Sequence, residues 1–341
     1  MRELLNTLYV QTLGTRLQLD HDSVVARIGN DPPRRVPLRR LDAIAVFGPI
    51  GVSTPLIHRC GKDGVGLSWF TSTGRFAASV RSPTTGNVLL RQSQHLAHGD
   101  EVRRLNLART IVAGKLINVA RFARHGARLT RDDELARILR ATASEIEEAR
   151  ANLPDAPDFD TVRGIEGYAS KQHFENVRRL LKADLTFEQR TRRPPLSPFN
   201  ALLSFVYGLA RFRVENALDG AGLDPQVGYL HSLRPGRPAL ALDLLEEHRP
   251  IVDRFALTLV NRRQIDASGF DTQHGGAVSL TDRGRRTVLE EWTNLMEKDI
   301  KHRMFKEAIP YALVFNVQAV VLARALRGDL PSYLPYIVQA D

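Results

Sequence analysis

The chain of 341 residues contains one cysteine, Cys60, so it forms neither an intrachain disulfide nor a multi-cysteine zinc site. No stretch approaches the ~20 consecutive apolar residues of a membrane span. The opening MRELLNTLYVQTLG lacks the uninterrupted apolar core of a signal peptide. Low-complexity tracts and internal repeats are missing too, which excludes disordered and solenoid architectures. Acids are the scarcer charge: 38 Asp and Glu face 48 Lys and Arg, giving a formal net charge of +10 and a pI near 10.1. These absences describe an ordered cytoplasmic protein with no membrane association, whose surplus charge suits an acidic polymer such as DNA or RNA.

What is present divides in two, and the length suits two cores. From residue 6 to 80 short β-type segments recur: Leu8–Val10, Leu17–Leu19, Val24–Ile28, Val36–Leu38, Ala43–Phe47, Gly66–Phe70 and Ala78–Val80. Turn residues punctuate them at the intervals expected of a β-sandwich, with one short helix at Thr54–Cys60. Breaker residues concentrate at Ser82–Asn87, and beyond them the apolar period changes from 2 to about 3.6. Helices are expected at about 105–126, 135–146, 164–181, 198–218, 250–262, 286–298 and 310–326. The helix at 198–218 is apolar on most sides and so belongs inside a bundle. The resulting class is α+β multidomain: a β-sandwich at 1–85 followed by an all-α domain at 86–341.

Three segments carry acid or imidazole groups in unusual company. In Gly164-Ile165-Glu166-Gly167 a carboxylate lies between two helix-weakening glycines, as for close approach of something large, or as an acid on the dipole of a helix start. His231, in Gly228-Tyr229-Leu230-His231, suits either a ligand or a hydrogen-bonded core histidine. In ALALDLLEEHRP, Asp243 and Glu246 lie three apart on one helical face, calling for a cation between them or for Arg249 as counter-charge on a solvated edge. Together they make a mixed nitrogen and oxygen site suited to Mg²⁺ or Mn²⁺, and in a basic chain such a site points to phosphodiester chemistry.

GIEGYASKQHF at 164–174, SPFNALLSFVYGLA at 197–210, LHSLRPGRPALALDLLEEHRPIVD at 230–253 and VQAVVLARALRGDL at 317–330 carry a resemblance. In order and spacing they resemble the CRISPR-associated endonuclease and integrase family, the larger of the two universal spacer-acquisition proteins, over essentially the whole chain. The opening LNTLYVQT and the ending VQA..LAR.LRGDL look like its type I-C branch. The resemblance implies an N-terminal β-sandwich used for homodimerisation, a helical catalytic domain and assembly with the small CRISPR-associated protein two. It implies metal ligands at Glu166, His231 and Glu246, with Asp243 as a supporting or alternate ligand. Asn200, Ser204 and Tyr207 match polar positions of the family's buried helix, where they would bond the metal-site loops, DNA or neighbouring helices. His248 departs from the family pattern, standing where many relatives have a bulky apolar residue.

The expected activity is metal-dependent joining of spacer 3′-hydroxyl ends to the CRISPR repeat, with endonuclease activity at the same site. Arg163, Arg178, Arg179, Arg192, Arg193, Arg234 and Arg237 are candidates for contacts with DNA phosphates. Two rivals share these residues. One hydrolyses branched DNA with water as nucleophile, and the other is a non-catalytic DNA-binding scaffold whose acids only stabilise the fold.

Overall fold

The structure is a computed structural model and describes residues 6–71, 74, 76–80, 88–182, 185, 187–192, 194–305 and 307–339. The breaker run Ser82–Asn87 and Arg193 lie outside the described residues. The chain forms two compact units: Met1–Gly86 with Leu280–Thr293, and Asn87–Ser279 with Asn294–Asp341.

The first unit begins with β1 (Asn6–Val10), β2 (Thr15–Asp20), β3 (Ser23–Ile28), β4 (Arg34–Pro37), β5 (Leu41–Phe47) and β6 (Gly51–Val52). Helix α1 (Thr54–Asp63), β7 (Gly66–Phe70) and β8 (Phe76–Val80) follow. The strands form two four-stranded sheets, ordered β1-β5-β7-β8 and β4-β3-β2-β6. Because β5 and β7 run parallel, the chain must cross between them, and β6 with α1 makes that crossover. Strand β5 is buried along almost its whole length, hence the unbroken apolar run Ala43–Phe47. Val10, Leu17, Val24, Ile44, Leu56, Cys60 and Leu67, drawn from both sheets and α1, share one aliphatic core. The two-residue β6 is too short to show any period in the sequence.

The second unit opens with α2 (Val88–Gly99), α3 (Glu101–Leu129), α4 (Asp133–Ala151), α5 (Phe159–Leu180), α6 (Pro198–Ala221) and α7 (Ala239–Asn261). The side chains of Asp100, Asp132, Asp158 and Ser197 each accept a backbone N–H three residues on, and so start α3, α4, α5 and α6. Helix α3 packs on α4, α5 and α7, and α6 on α7. Along the chain next come β9 (Phe270–Thr272), β10 (Val278–Leu280), α8 (Asp282–Glu297), most of which belongs to the first unit, and then, in the second unit again, β11 (Asp299–Ile300), β12 (Ile309–Pro310) and α9 (Tyr311–Arg327), which also packs on α6.

Several expectations need correction. The region after residue 86 is not all-α: β9 pairs with β10 and β11 with β12, in ribbons too short for periodicity to reveal. Helix α3 does not stop near Gly126, a buried residue where an added Cβ would meet Leu180 Cδ1 at 2.8 Å. That glycine serves close packing of α5. Helix α5 starts at its Asp158 cap, so Glu166 is two turns inside it and not at its start. Helix α7 runs through Pro250 as one element, although proline gives up its hydrogen bond to the Glu246 carbonyl.

Candidate metal centre

Three helices and one loop of the second unit supply the site. Glu166 and Ser170 are four apart on α5, and Asp243, Glu246 and Arg249 recur at intervals of three on α7, so each set shares a face. Lys115 comes from α3 and His231 from the loop between α6 and α7. The Lys115 ammonium donates to Glu166 Oε1, to Ser170 Oγ at 2.9 Å and to Glu246 Oε2 at 2.5 Å. Ser170 Oγ in turn donates to Glu166 Oε1 at 2.8 Å. Arg249 Nε donates to Glu246 Oε1 at 2.8 Å, and His231 Nε2 stands 3.9 Å from that same oxygen. Two carboxylates far apart in sequence thus meet around one buried cation, with an imidazole beside them.

Among the described residues no three of His, Cys, Asp and Glu are spaced to hold a metal ion as they stand. The reason is visible: the Lys115 ammonium fills the space between Glu166 and Glu246. The donors still fit a divalent ion. Both carboxylates already point at one positive charge, and His231 Nε2 lies near the other oxygen of Glu246 in the same pocket. Oxygen-rich donors with one imidazole suit Mg²⁺ or Mn²⁺.

Asp243 holds His231 there. Its Oδ1 faces His231 Nδ1 at 2.7 Å and accepts the His231 N–H at 2.9 Å. Its Oδ2 accepts the N–H groups of Tyr229 at 2.5 Å and Leu230 at 3.0 Å. With Nδ1–H donating to this carboxylate, Nε2 keeps its lone pair for the pocket. Asp243 is wholly buried and does not line the pocket. Gly228 makes the arrangement feasible, because a Cβ there would lie 2.7 Å from Asp243 Oδ2 and 2.6 Å from the Ala239 carbonyl carbon. From the other side Gln94 Nε2 donates to the carbonyls of Asp224 and Val227, and His98 Nδ1 faces that of Gly228 at 2.7 Å. Helix α2, which the sequence reading omitted, therefore helps to position His231.

Burial raises the Glu246 carboxyl, but the charges of Arg249 and Lys115 more than reverse this and hold it well below the ordinary carboxylate range. Arg249 is mostly buried as well, which lowers its pKa, yet Glu246 draws it above the ordinary guanidinium value. Its guanidinium lies 4.8 Å from the centre of the Tyr207 ring. Tyr207 Oη donates to Asp253 Oδ1 at 2.5 Å, and Asp253 Oδ2 meets His173 Nε2 at 2.8 Å.

The expected residues separate on this geometry. Glu166, His231 and Glu246 line a pocket of about 330 Å³, together with Lys115, Arg249, Arg163, Arg192 and Arg237. Arg178, Arg179 and Arg234 are exposed and do not line it, and Arg178 pairs with Glu175. Asn200 and Ser204 accept from Arg190 at 3.0 and 3.1 Å, and Asn200 also bonds the backbone of Gln189 and Thr191. Those two side chains shape the segment leading to Arg192. His248 packs as an aromatic would, stacked on Phe315 at 4.4 Å with Nδ1 facing Tyr311 Oη at 2.9 Å.

Lys115, Ser170, Arg190 and Asp253 were missed. A signal existed for one of them: Lys115 lies four residues from both Ile111 and Val119, so it is a charge on the buried stripe of α3.

A basic pocket with paired carboxylates and an imidazole oriented by Asp243 suits an enzyme acting on phosphodiesters. The family model described as CRISPR associated protein Cas1 matches residues 8–294. Over 341 residues the chain is 42% identical to CRISPR-associated endonuclease Cas1 1 of Moorella thermoacetica, covering 99% of each. Over 354 residues it is 41% identical to CRISPR-associated endonuclease Cas1 2 of Rhodospirillum rubrum, covering 98% of this chain and 99% of that one. A Cas1 protein from Thermotoga maritima has the same fold, with TM-score 0.79 at 23% identity over 95% of this chain and 97% of that one. So does a casposase bound to integration product, with TM-score 0.82 at 21% identity over 97% and 93%. The chain belongs to the Cas1 family. It is a CRISPR-associated endonuclease, so the non-catalytic scaffold reading is set aside.

Proposed function

We propose that Glu166, His231 and Glu246 hold Mg²⁺ or Mn²⁺ in the pocket that Arg163, Arg192 and Arg237 line, and that the site joins spacer 3′-hydroxyl ends to the CRISPR repeat. The observation that carries this reading is the convergence of Glu166 and Glu246 on one buried positive charge beside His231 Nε2. A divalent ion there supplies Lewis-acid stabilisation of the charge that develops on the phosphate. The chain's own residues set the stage: Asp243 fixes the His231 ring, Arg249 neutralises Glu246, and the rim arginines bind the DNA backbone. In the transfer the DNA 3′-hydroxyl gives up its proton and forms a new P–O bond. The repeat's own P–O bond breaks and releases a new 3′-hydroxyl. No protein nucleophile is needed, and water in place of the hydroxyl yields the endonuclease reaction.

Within the same reading Asp243 is a positioning residue. Arg178, Arg179 and Arg234 take no part in the pocket and are left to the wider DNA track, as is Arg193, which lies outside the described residues. The sheets of the first unit form a β-sandwich that pairs two copies of the chain. The small CRISPR-associated protein two bridges such dimers, a partnership supported by the same fold within a Cas6-RT-Cas1–Cas2 complex at TM-score 0.81. The VQA..LAR.LRGDL ending supports the type I-C branch. Among the described residues no helix is long and apolar enough to cross a membrane, and the lone buried thiol suits the reducing cytoplasm.

The test is strand joining with the small partner, a labelled duplex and a supercoiled plasmid carrying leader and repeat, in Mg²⁺ or Mn²⁺. Label should enter the plasmid with the wild type and not with Glu166→Ala or His231→Ala. Joining that survives both substitutions would refute the assignment.

A further inference from the structure

We propose that Lys115 is a resident counter-cation of the metal centre. It holds Glu166 and Glu246 together while no divalent ion is bound, and it must leave that position when one binds. The inference rests on the metal reading of the same site.

The geometry singles out this role. An ammonium has three N–H donors, and each has its own acceptor here: Glu166 Oε1, Ser170 Oγ and Glu246 Oε2. No proton is left to offer a substrate. The side chain is buried, with 5% of its surface exposed, so it stands between the carboxylates and does not reach from the rim. Charge counting agrees. Lys115 and Arg249 balance Glu166 and Glu246, so these four groups together are neutral. The buried Glu246 and the partly buried Glu166, without such a partner, would repel one another or take up protons.

The same balance forbids Lys115 and a metal ion from sharing the position. A divalent ion held by Glu166 and Glu246 would be a close neighbour of the Lys115 ammonium, with little water to screen the repulsion. Divalent binding must therefore expel the ammonium, and the carboxylates exchange one cation for another. Lys115 keeps the ligands gathered before metal arrives and weakens metal binding as the cost.

The experiment uses the full chain without DNA. Mn²⁺ binding is followed by titration calorimetry, and melting temperature is read with and without Mn²⁺, for wild type, Glu166→Gln and Lys115→Met. Glu166→Gln defines binding at this centre. Lys115→Met should bind Mn²⁺ at least about tenfold more tightly, because the competing charge is gone. It should melt lower than wild type without metal and gain more on adding Mn²⁺. If Lys115→Met binds no more tightly than wild type, the counter-cation proposal fails and the metal centre stands. If wild-type Mn²⁺ binding is unchanged in Glu166→Gln, the metal reading fails and takes the proposal with it. Should Lys115→Met not fold, Lys115→Gln, which keeps polar contact without charge, carries the same prediction. Wild-type crystals soaked in Mn²⁺ give an independent check: Nζ should have left both carboxylates, and Nζ still bridging them beside a bound ion would overturn the proposal.

Discussion

In the unit built from residues 1–86 and 280–293, the interior around Leu17, Ile44 and Leu67 is aliphatic, and its buried polar residues are Thr7, Thr15, Ser68 and Arg285 among those described. The other unit buries Lys115, Asn118, His173, Asp243, Glu246, Glu247, His248 and Asp253. Burying charge is expensive unless every group is paired and hydrogen-bonded. The helical unit meets that condition at its centre through bonds reaching across long sequence separations, such as Lys115 to Glu246 and Asn118 to Tyr336. One interior is organised for cohesion alone, and the other for holding ionised groups in set positions.

Removing Asp243 should break this contrast most severely. Asp243→Ala would strand the N–H groups of Tyr229, Leu230 and His231 in a buried turn and release the His231 ring. We expect a loss of about 3–5 kcal/mol in denaturant unfolding, together with loss of strand joining. Ile44→Ala, in the aliphatic core, should cost about 2–5 kcal/mol as a cavity mutation. Unlike Asp243→Ala, it should leave joining per folded molecule unchanged below its melting temperature. Loss of joining by well-folded Ile44→Ala would show that the two interiors are not functionally separate.

Gly228→Ala sharpens the comparison at lower cost. Its methyl would press on Ala239, Leu240 and Asp243 Oδ2, and overpacking of this kind costs about 1–3 kcal/mol. The push falls on the carboxylate that orients His231, so joining should fall further than stability implies. Equal melting temperature and activity to wild type would show that the Asp243 turn tolerates displacement.

The aliphatic unit was largely legible in the sequence, because alternating apolar segments report strands whose partners are also apolar. Leu17, Ile44 and Leu67 lie within segments read as strands. The helical unit was legible as helices and much less so as a site. Glu166, His231 and Glu246 stand in segments that the motifs single out, and they line one pocket. Lys115 and the Asp243 turn depend on which groups meet in space, and no local pattern encodes that. The segment after α9 shows the same limit. Tyr333 and Tyr336 are buried though no regular element holds them, because the Glu247 carboxylate accepts from Tyr333 Oη and from the Tyr336 N–H. Burial pushes the Glu247 carboxyl up to about 8 despite those donors, a state invisible in the string Leu245-Glu246-Glu247-His248.

The smallest effect on stability is expected at the rim, where the comparison becomes one between two arginines. Arg249 is mostly buried, bonded to Glu246 and close to the Tyr207 ring, so it belongs to the interior side of the pocket. Arg192 is exposed and lines the same pocket from its edge. If Arg192 serves a phosphate, Arg192→Ala should leave the melting temperature where it is. It should weaken DNA binding alike for all sequences, and the slope of log affinity against log salt should become shallower by about 1. Fluorescence anisotropy with a labelled duplex across a salt series measures that slope directly. Arg178→Ala is the matched comparison, since Arg178 is also exposed but pairs with Glu175 and does not line the pocket. A shallower slope for Arg192→Ala and not for Arg178→Ala would place the DNA backbone over the pocket. Equal slopes for the two variants would mean that net charge draws the DNA and the pocket arginines do not.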